Sequence, residues 1–356
     1  MSFAATRMTG FAGQDFRVWW LGANAILHGR NPYTTIVFQH RPDFLYPLIA
    51  AIVTVPFAGI QDTIAGPLFI TISCGLLAFM LTRNSWWPLL IFTSGGMFLS
   101  IIAAQFTPLL MLGFLSSNAM WLGALKPNIG LAMLAWRPSV KGAVLMALVT
   151  AISLISMPSW PIAWLRALEA STYHYEPVLA FGGPLILLAL IRWRRPEARL
   201  LAVMALVPSS PIVYETLPLF LIARRRIELC LLAFMSSVAY LVMAGLPPNQ
   251  LDLYMQRGRW VIVWLSYLPA LAIVLARPNE AVRTGPVEPA LHTAELRWWV
   301  CKECGSAASH LQQSCSTCYT RMGRETPRST LAFGYAAAAI AYVIVIYVTF
   351  VQGRRA

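Results

Sequence analysis

Charged residues are scarce in this chain, and the few that interrupt its apolar stretches are where chemistry could happen. Of 356 residues, 58% are apolar and only 12% are charged, about half the charged share of an ordinary soluble domain. Asp15 stands just before an apolar-periodic stretch, and Lys126 interrupts the run from Met120 to Leu131. Tyr214 and Glu215 follow Pro208-Ser209-Ser210-Pro211. A carboxylate such as Asp15 can take a proton from a hydroxyl, or it can cap the helix that begins beside it. An ammonium inside a spanning segment is costly and normally faces a cavity or a partner, which suits Lys126 to an anion. Pro127 breaks the helix there; the alternative is that a helix over 106–125 simply ends at Lys126. Two prolines in an apolar segment mark an interrupted helix, and Glu215 behind them can orient a substrate or remain a solvated loop carboxylate. His174 and Glu176 are weaker candidates, and Asp43 reads as the cap of the first apolar helix.

The cysteines divide into two groups. Cys74 and Cys230 fall in apolar segments and read as inert core residues. Cys301-x-x-Cys304 and Cys315-x-x-Cys318 are spaced to place four thiolates around one zinc ion, with iron as the runner-up metal. Four protein ligands leave no open position, so the zinc is expected to be structural, and its binding to drive folding of a segment too poor in apolar residues to build a core. His310 can replace a ligand, but four cysteines suffice.

The composition requires an all-α polytopic membrane protein. Spanning or near-spanning segments are expected at about 46–61, 64–82, 86–103, 106–117, 119–136, 141–157, 177–191, 198–224 (broken in the middle), 228–245, 259–276 and 331–351. Several are shorter than the roughly 20 residues of a simple span, as happens where helices line a cavity. Ahead of them, Phe16, Trp19, Trp20, Ala23, Ile26 and Leu27 recur at helical spacing. They predict an amphipathic juxtamembrane helix with its tryptophans at the interface, stopped by Gly29 and kept from resuming by Pro32. The net charge of +13 comes from arginines in short loops and reflects membrane orientation rather than nucleic acid binding. Arg137, Arg192-Trp193-Arg194-Arg195, Arg199, Arg224-Arg225-Arg226 and Arg277 mark the cytoplasmic side; Arg83 and Arg354-Arg355 break the rule. Counting crossings puts residues 1 to 45, the loop at 158–176, the break at 208–215 and residues 246–258 together on the outer face. The domains expected are an outer loop at 1–45, a membrane domain at 46–276, a cytoplasmic zinc-knuckle insert at 277–330, and a last helix with its tail at 331–356. Residues 1 to 14 lack an apolar core, so no cleavable signal peptide is expected.

Four motifs in fixed order carry a resemblance. They are Asp15 with an aromatic helix, then Gly29-Arg30-Asn31-Pro32-Tyr33 and Tyr46-Pro47; Gln105-Phe106-Thr107-Pro108-Leu109-Leu110; Ala124-Leu125-Lys126-Pro127-Asn128; and Pro208-Ser209-Ser210-Pro211 with Tyr214. Together, over about residues 15 to 220, they resemble the polyprenyl-phosphate-sugar glycosyltransferases of family 87, which have the GT-C fold and include mannosyltransferases. The resemblance implies a GT-C-like bundle of about ten helices. It implies a membrane enzyme that moves a mannose-like sugar, with inversion, from a polyprenyl phosphate to a glycan or glycolipid acceptor on the outer face. Asp15 would be the base and Lys126 the phosphate ligand; Glu215, Tyr214, Gln105, Asn128, Tyr46 and Arg17 would bind substrate. The family carries a helix before its acidic loop, which residues 1 to 14 do not supply, and the cysteine insert lies outside its pattern. Broken helices and an intramembrane lysine fit a transporter or flippase of a lipid-linked sugar equally well. A non-catalytic scaffold carrying the zinc module is a further reading.

Overall fold

The computed structural model describes residues 13–38, 41–83, 85–171, 175–245, 251–277, 298–300 and 307–309, with short pieces of 336–344. The expected helix forms over Gln14–Leu27. Asp15 is not its cap: that position belongs to Gly13, whose φ of 80° places it in the left-handed region open to glycine, and Asp15 sits inside the first turn. Phe16, Trp19 and Ala23 are buried, and Trp19 stacks on Phe106 with ring centroids 3.6 Å apart. Trp19 is thus a core residue and not the interfacial anchor expected. Trp20 fixes the other flank, its indole N–H donating to the carbonyls of Phe57 and Ile60. Gly29, at φ 65°, ends the helix as its sequence predicts. Pro32 does not keep helix from resuming: it opens a single turn, Pro32–Thr35, capped by the Asn31 side chain on the Tyr33 N–H.

The chain is helical, with a minor ribbon at Val37–Phe38 and Arg41–Pro42 and a second at Trp298–Val300 and Ala307–Ser309. Three helices are long and apolar enough to cross a membrane: Asp62–Leu81, Arg226–Ala244 and Met255–Leu275. Two bent pairs pass the same test if each counts as one span. Gly95–Ala103 and Thr107–Leu115 meet at 120°, and Val140–Ser156 and Trp160–Glu169 meet at 99°. This is a membrane-type helical architecture with three to five candidate spans among the described residues, fewer than the eleven segments expected.

The shortfall has a local cause. Segment 86–103 divides into a 3-10 stretch, Trp87–Thr93, and the helix Gly95–Ala103. Segment 119–136 divides at Lys126 into Ser117–Leu125 (3-10) and Pro127–Trp136. Segment 198–224 is broken as expected, into Pro196–Leu206 and Val213–Ile222. Pro88, Pro108 and Pro127 sit in the first turn of the piece they open, where a missing N–H costs nothing. Glycines let the pieces pack closely. A Cβ on Gly95 would come within 2.7 Å of the Ser236 carbonyl oxygen, and one on Gly258 within 2.8 Å of the Pro211 carbonyl oxygen. The second contact holds the last candidate span against the Ser-Pro break. Segment 331–351 lies largely outside the described residues.

Candidate active site

The bend after Gly95–Ala103 places the first polar group. Ala104 adopts φ 52°, ψ 48°, a left-handed conformation that costs a residue with a Cβ about 1 kcal/mol or more. It is fully buried, and the reversal leaves Gln105 at the apex. Gln105 is fully buried too; its carbonyl accepts from the Phe106 N–H at 2.8 Å, which fixes the amide. The Gln105 Nε2 donates to Asp15 Oδ2 at 2.8 Å and to the Tyr46 hydroxyl at 3.3 Å. From the Ser-Pro break, the Tyr214 hydroxyl donates to the same Asp15 oxygen at 3.0 Å. Tyr46 is held in turn by Tyr33, whose hydroxyl donates to the Tyr46 carbonyl at 2.9 Å, so the Asn-Pro-Tyr turn acts by positioning the start of the first apolar helix.

Lys126 lies at the junction of its two helical pieces, in an extended conformation with φ −148° and ψ 89°. Its ammonium pairs with Glu215 and stands 5.9 Å from the centre of the Tyr214 ring. Glu215 is 3% exposed, so it is no solvated loop carboxylate, and Oε2 finds no partner among the described residues. Asn128, one residue beyond Pro127, donates to the Pro208 carbonyl at 3.0 Å and ties the Lys-Pro-Asn segment to the Ser-Pro break.

Asp15, Tyr46, Lys126, Asn128, Ser209 and Tyr214 open onto one cavity of about 450 Å³, while Gln105 and Glu215 support it from behind. Apolar side chains complete it, among them Leu131, Leu168, Val207 and Met255. Burial pushes the Asp15 carboxyl above the usual carboxylate range; the hydrogen bonds from Gln105 and Tyr214, and the nearby Lys126 charge, offset this only in part. A carboxylate that resists ionisation yet accepts two hydrogen bonds is a proton acceptor poised nearer neutrality than a free aspartate.

No family model matches this chain, and neither does any curated protein or solved structure. The site therefore stands on its own geometry.

Of the residues singled out from sequence, Asp15, Tyr46, Gln105, Lys126, Asn128, Tyr214 and Glu215 come together. Arg17 does not: it is 67% exposed and pairs with Asp62 at 3.3 Å. Asp43 is no helix cap, since the next helix starts at Leu48 behind Pro47 with no side-chain cap. Asp43 lines the cavity instead, and burial pushes its carboxyl up as well. Trp164 is a wall residue the sequence did not distinguish; its indole donates to the Leu45 carbonyl at 3.0 Å. Arg259 stands over the ring of Tyr175, 5.9 Å from its centre, and Tyr175 and Ser209 exchange backbone hydrogen bonds of 2.9 Å. A cation at the first turn of an apolar run reads as an ordinary loop charge, which hid Arg259. His174 and the four Cys-x-x-Cys cysteines lie outside the described residues; Glu176 is described but is not part of the cavity wall.

Proposed function

We propose that this protein is a membrane-embedded glycosyltransferase that takes a sugar from a polyprenyl phosphate. The observation that carries the reading is the convergence of Asp15, Lys126 and Tyr214, from separate parts of the chain, on the wall of one cavity, with Gln105 buried behind Asp15 and Glu215 behind Lys126. Asp15 accepts the proton of the acceptor hydroxyl as the oxygen attacks the anomeric carbon. The sugar–phosphate bond breaks, and Lys126 binds the departing phosphate, where negative charge grows in the transition state. Glu215 holds the ammonium until the donor arrives. Tyr214 and Gln105 orient the Asp15 carboxylate, and the apolar wall from Leu131 to Met255 receives the first isoprene units. The mannose-like identity of the sugar, inversion, and a GT-C relationship belong to the same proposal, resting on the order of the motifs.

Reconstituted protein supplied with sugar-labelled polyprenyl phosphate should yield labelled acceptor together with free polyprenyl phosphate. Movement of the intact donor across the bilayer, its sugar–phosphate bond uncleaved, would overturn the enzyme reading in favour of a transporter, which the Lys126–Glu215 pair at a helix break also suits.

The Cys301, Cys304, Cys315 and Cys318 set is proposed to hold a structural zinc. The four cysteines lie outside the described residues, and the support is their spacing, two Cys-x-x-Cys pairs separated by ten residues. Trp298–Val300 and Ala307–Ser309 pair antiparallel with Val300 opposite Ala307, and Cys301 and Cys304 belong to the six residues that join them. Purified protein should contain one zinc per chain by atomic emission, and Cys304→Ser with Cys318→Ser should lower that to background.

A further inference from the structure

We propose a second ligand site, away from the Asp15 cavity: a groove that binds the phosphate of an anionic phospholipid. The groove is about 540 Å³ and runs between the start of the 3-10 stretch Trp87–Thr93 and the start of the helix Arg226–Ala244, with Trp86, Trp87, Leu89, Leu90 and Arg226 in its walls. Two of those residues carry a buried N–H donor with no acceptor among the described residues: Nε1 of Trp87 and Nε of Arg226. Buried donors without partners are uncommon in folded proteins, because each loses its water and gains nothing in return. Both belong to residues of the groove wall but lie just beneath its surface, so a ligand oxygen completes them as the wall side chains adjust around it.

The charges near the groove favour an anion. In the triplet Arg224-Arg225-Arg226, Arg224 pairs with Glu197 at 3.0 Å and Arg225 with Glu228 at 2.8 Å. Arg226 has no carboxylate partner among the described residues, although it lies next in sequence. The location favours a lipid over a soluble anion. Arg226 is the first residue of one candidate span, and Trp86 follows shortly after Leu81, the last residue of another. If these helices cross the bilayer, the groove lies at headgroup depth, where tryptophan and arginine are favoured. Trp86 is 77% exposed, which suits a ring lying among headgroups. Leu89 and Leu90 offer an apolar wall for the glycerol and upper acyl chain. A phosphodiester has oxygens for both donors and a charge for the guanidinium; a zwitterionic headgroup has the phosphate but brings its own cation.

Native mass spectrometry of the full chain, titrated with phosphatidylglycerol or phosphatidylcholine, tests this. Wild type should retain phosphatidylglycerol in preference to phosphatidylcholine, and Trp87→Phe with Arg226→Gln should weaken that retention by at least about tenfold. Inorganic phosphate should leave the bound lipid in place. Displacement of the lipid by inorganic phosphate would make a free phosphate the ligand and overturn the lipid assignment. Equal retention of the two lipids, or undiminished retention by the double variant, would overturn the site. A photoactivatable phosphatidylglycerol on wild-type protein gives a reading independent of variant folding: label should appear in the peptide spanning 85–93, and label confined to other peptides would also overturn the site. Sugar transfer is no part of either readout, so failure here leaves the reading of the Asp15 cavity untouched.

Discussion

Asp15→Asn should lower sugar transfer by about 10²- to 10⁴-fold, the usual contribution of a general base, and should raise thermal stability at neutral pH. Both effects come from the same carboxylate. Asparagine keeps the shape and an oxygen that can accept from Gln105 and Tyr214, so the pocket is retained while the proton acceptor is lost. The stability change follows from burial. The folded state raises the Asp15 pKa, so the folded protein holds this proton more tightly than the unfolded chain does. A raised carboxyl contributes its stability below the unfolded value, near 4, and loses it as pH rises through the folded value. At neutral pH the charge is therefore a cost, and the amide removes it. The thermal midpoint of the variant should exceed that of wild type at pH 7, and the gap should close as pH falls through the folded Asp15 pKa toward 4. In wild type, transfer should fall on the acid side at a pH above the ordinary aspartate range, because only the ionised form accepts a proton. Transfer at wild-type rates by Asp15→Asn would remove Asp15 from the reaction.

The difference between what the sequence disclosed and what it concealed has a physical basis. In a chain so poor in charge, Asp15, Lys126 and Glu215 are conspicuous because burying an ion requires a partner. Lys126 and Glu215 turn out to be partners of each other. The arginine-rich loops, expected to share one side, also meet: Arg195, Arg224 and Arg277 gather around Glu197. Hydropathy recorded where apolar segments lie but not where they end. Segments near Pro108, Pro127 and Pro218 are as apolar as true spans, yet they form short helices, 3-10 stretches or sharp bends. Nothing in the sequence marks Ala104 as left-handed, because alanine ordinarily avoids that conformation. The 120° reversal that presents Gln105 is therefore hidden in the sequence, although Gln105 itself is not. Asp43 reads as a cap in sequence because a carboxylate before an apolar helix looks the same as a cap and as a wall residue; only the helix start at Leu48 separates the two.

Glu197→Gln should destabilise the protein by about 3–5 kcal/mol, the scale for removing one partner from a buried ion pair. Arg225→Gln, at the edge of the same network, should cost about 1 kcal/mol or less. The contrast rests on exposure and connectivity. Glu197 is 1% exposed, and its Oε1 is approached by Arg224 at 3.0 Å, Arg277 at 3.2 Å and Arg195 at 3.5 Å. Arg277 reaches further, to Glu228 at 2.5 Å, while Glu228 accepts the backbone N–H groups of Arg224 and Arg225 at 2.8 and 3.2 Å. The Arg225 side chain meets Glu228 at 2.8 Å but is 43% exposed, so water replaces much of what the substitution removes. Two carboxylates thus join the start of Pro196–Leu206, the start of Arg226–Ala244 and the residues just after Met255–Leu275. Neutralising Glu197 leaves guanidinium groups around a site that no longer balances them. Burial works against the Glu197 charge, but Arg224, Arg195 and Arg277 outweigh it and hold the carboxyl below its usual range. A lowered carboxyl keeps its full contribution above the unfolded value and loses it only as pH falls through the folded one. Wild type should therefore retain this clasp well into mild acid, where Glu197→Gln gains nothing. Equal thermal midpoints for Glu197→Gln and Arg225→Gln would mean the network adds no more than surface pairs do. Because the three helix ends it joins carry no part of the Asp15 cavity wall, purified Glu197→Gln that remains folded at low temperature should still transfer sugar, losing lifetime rather than turnover.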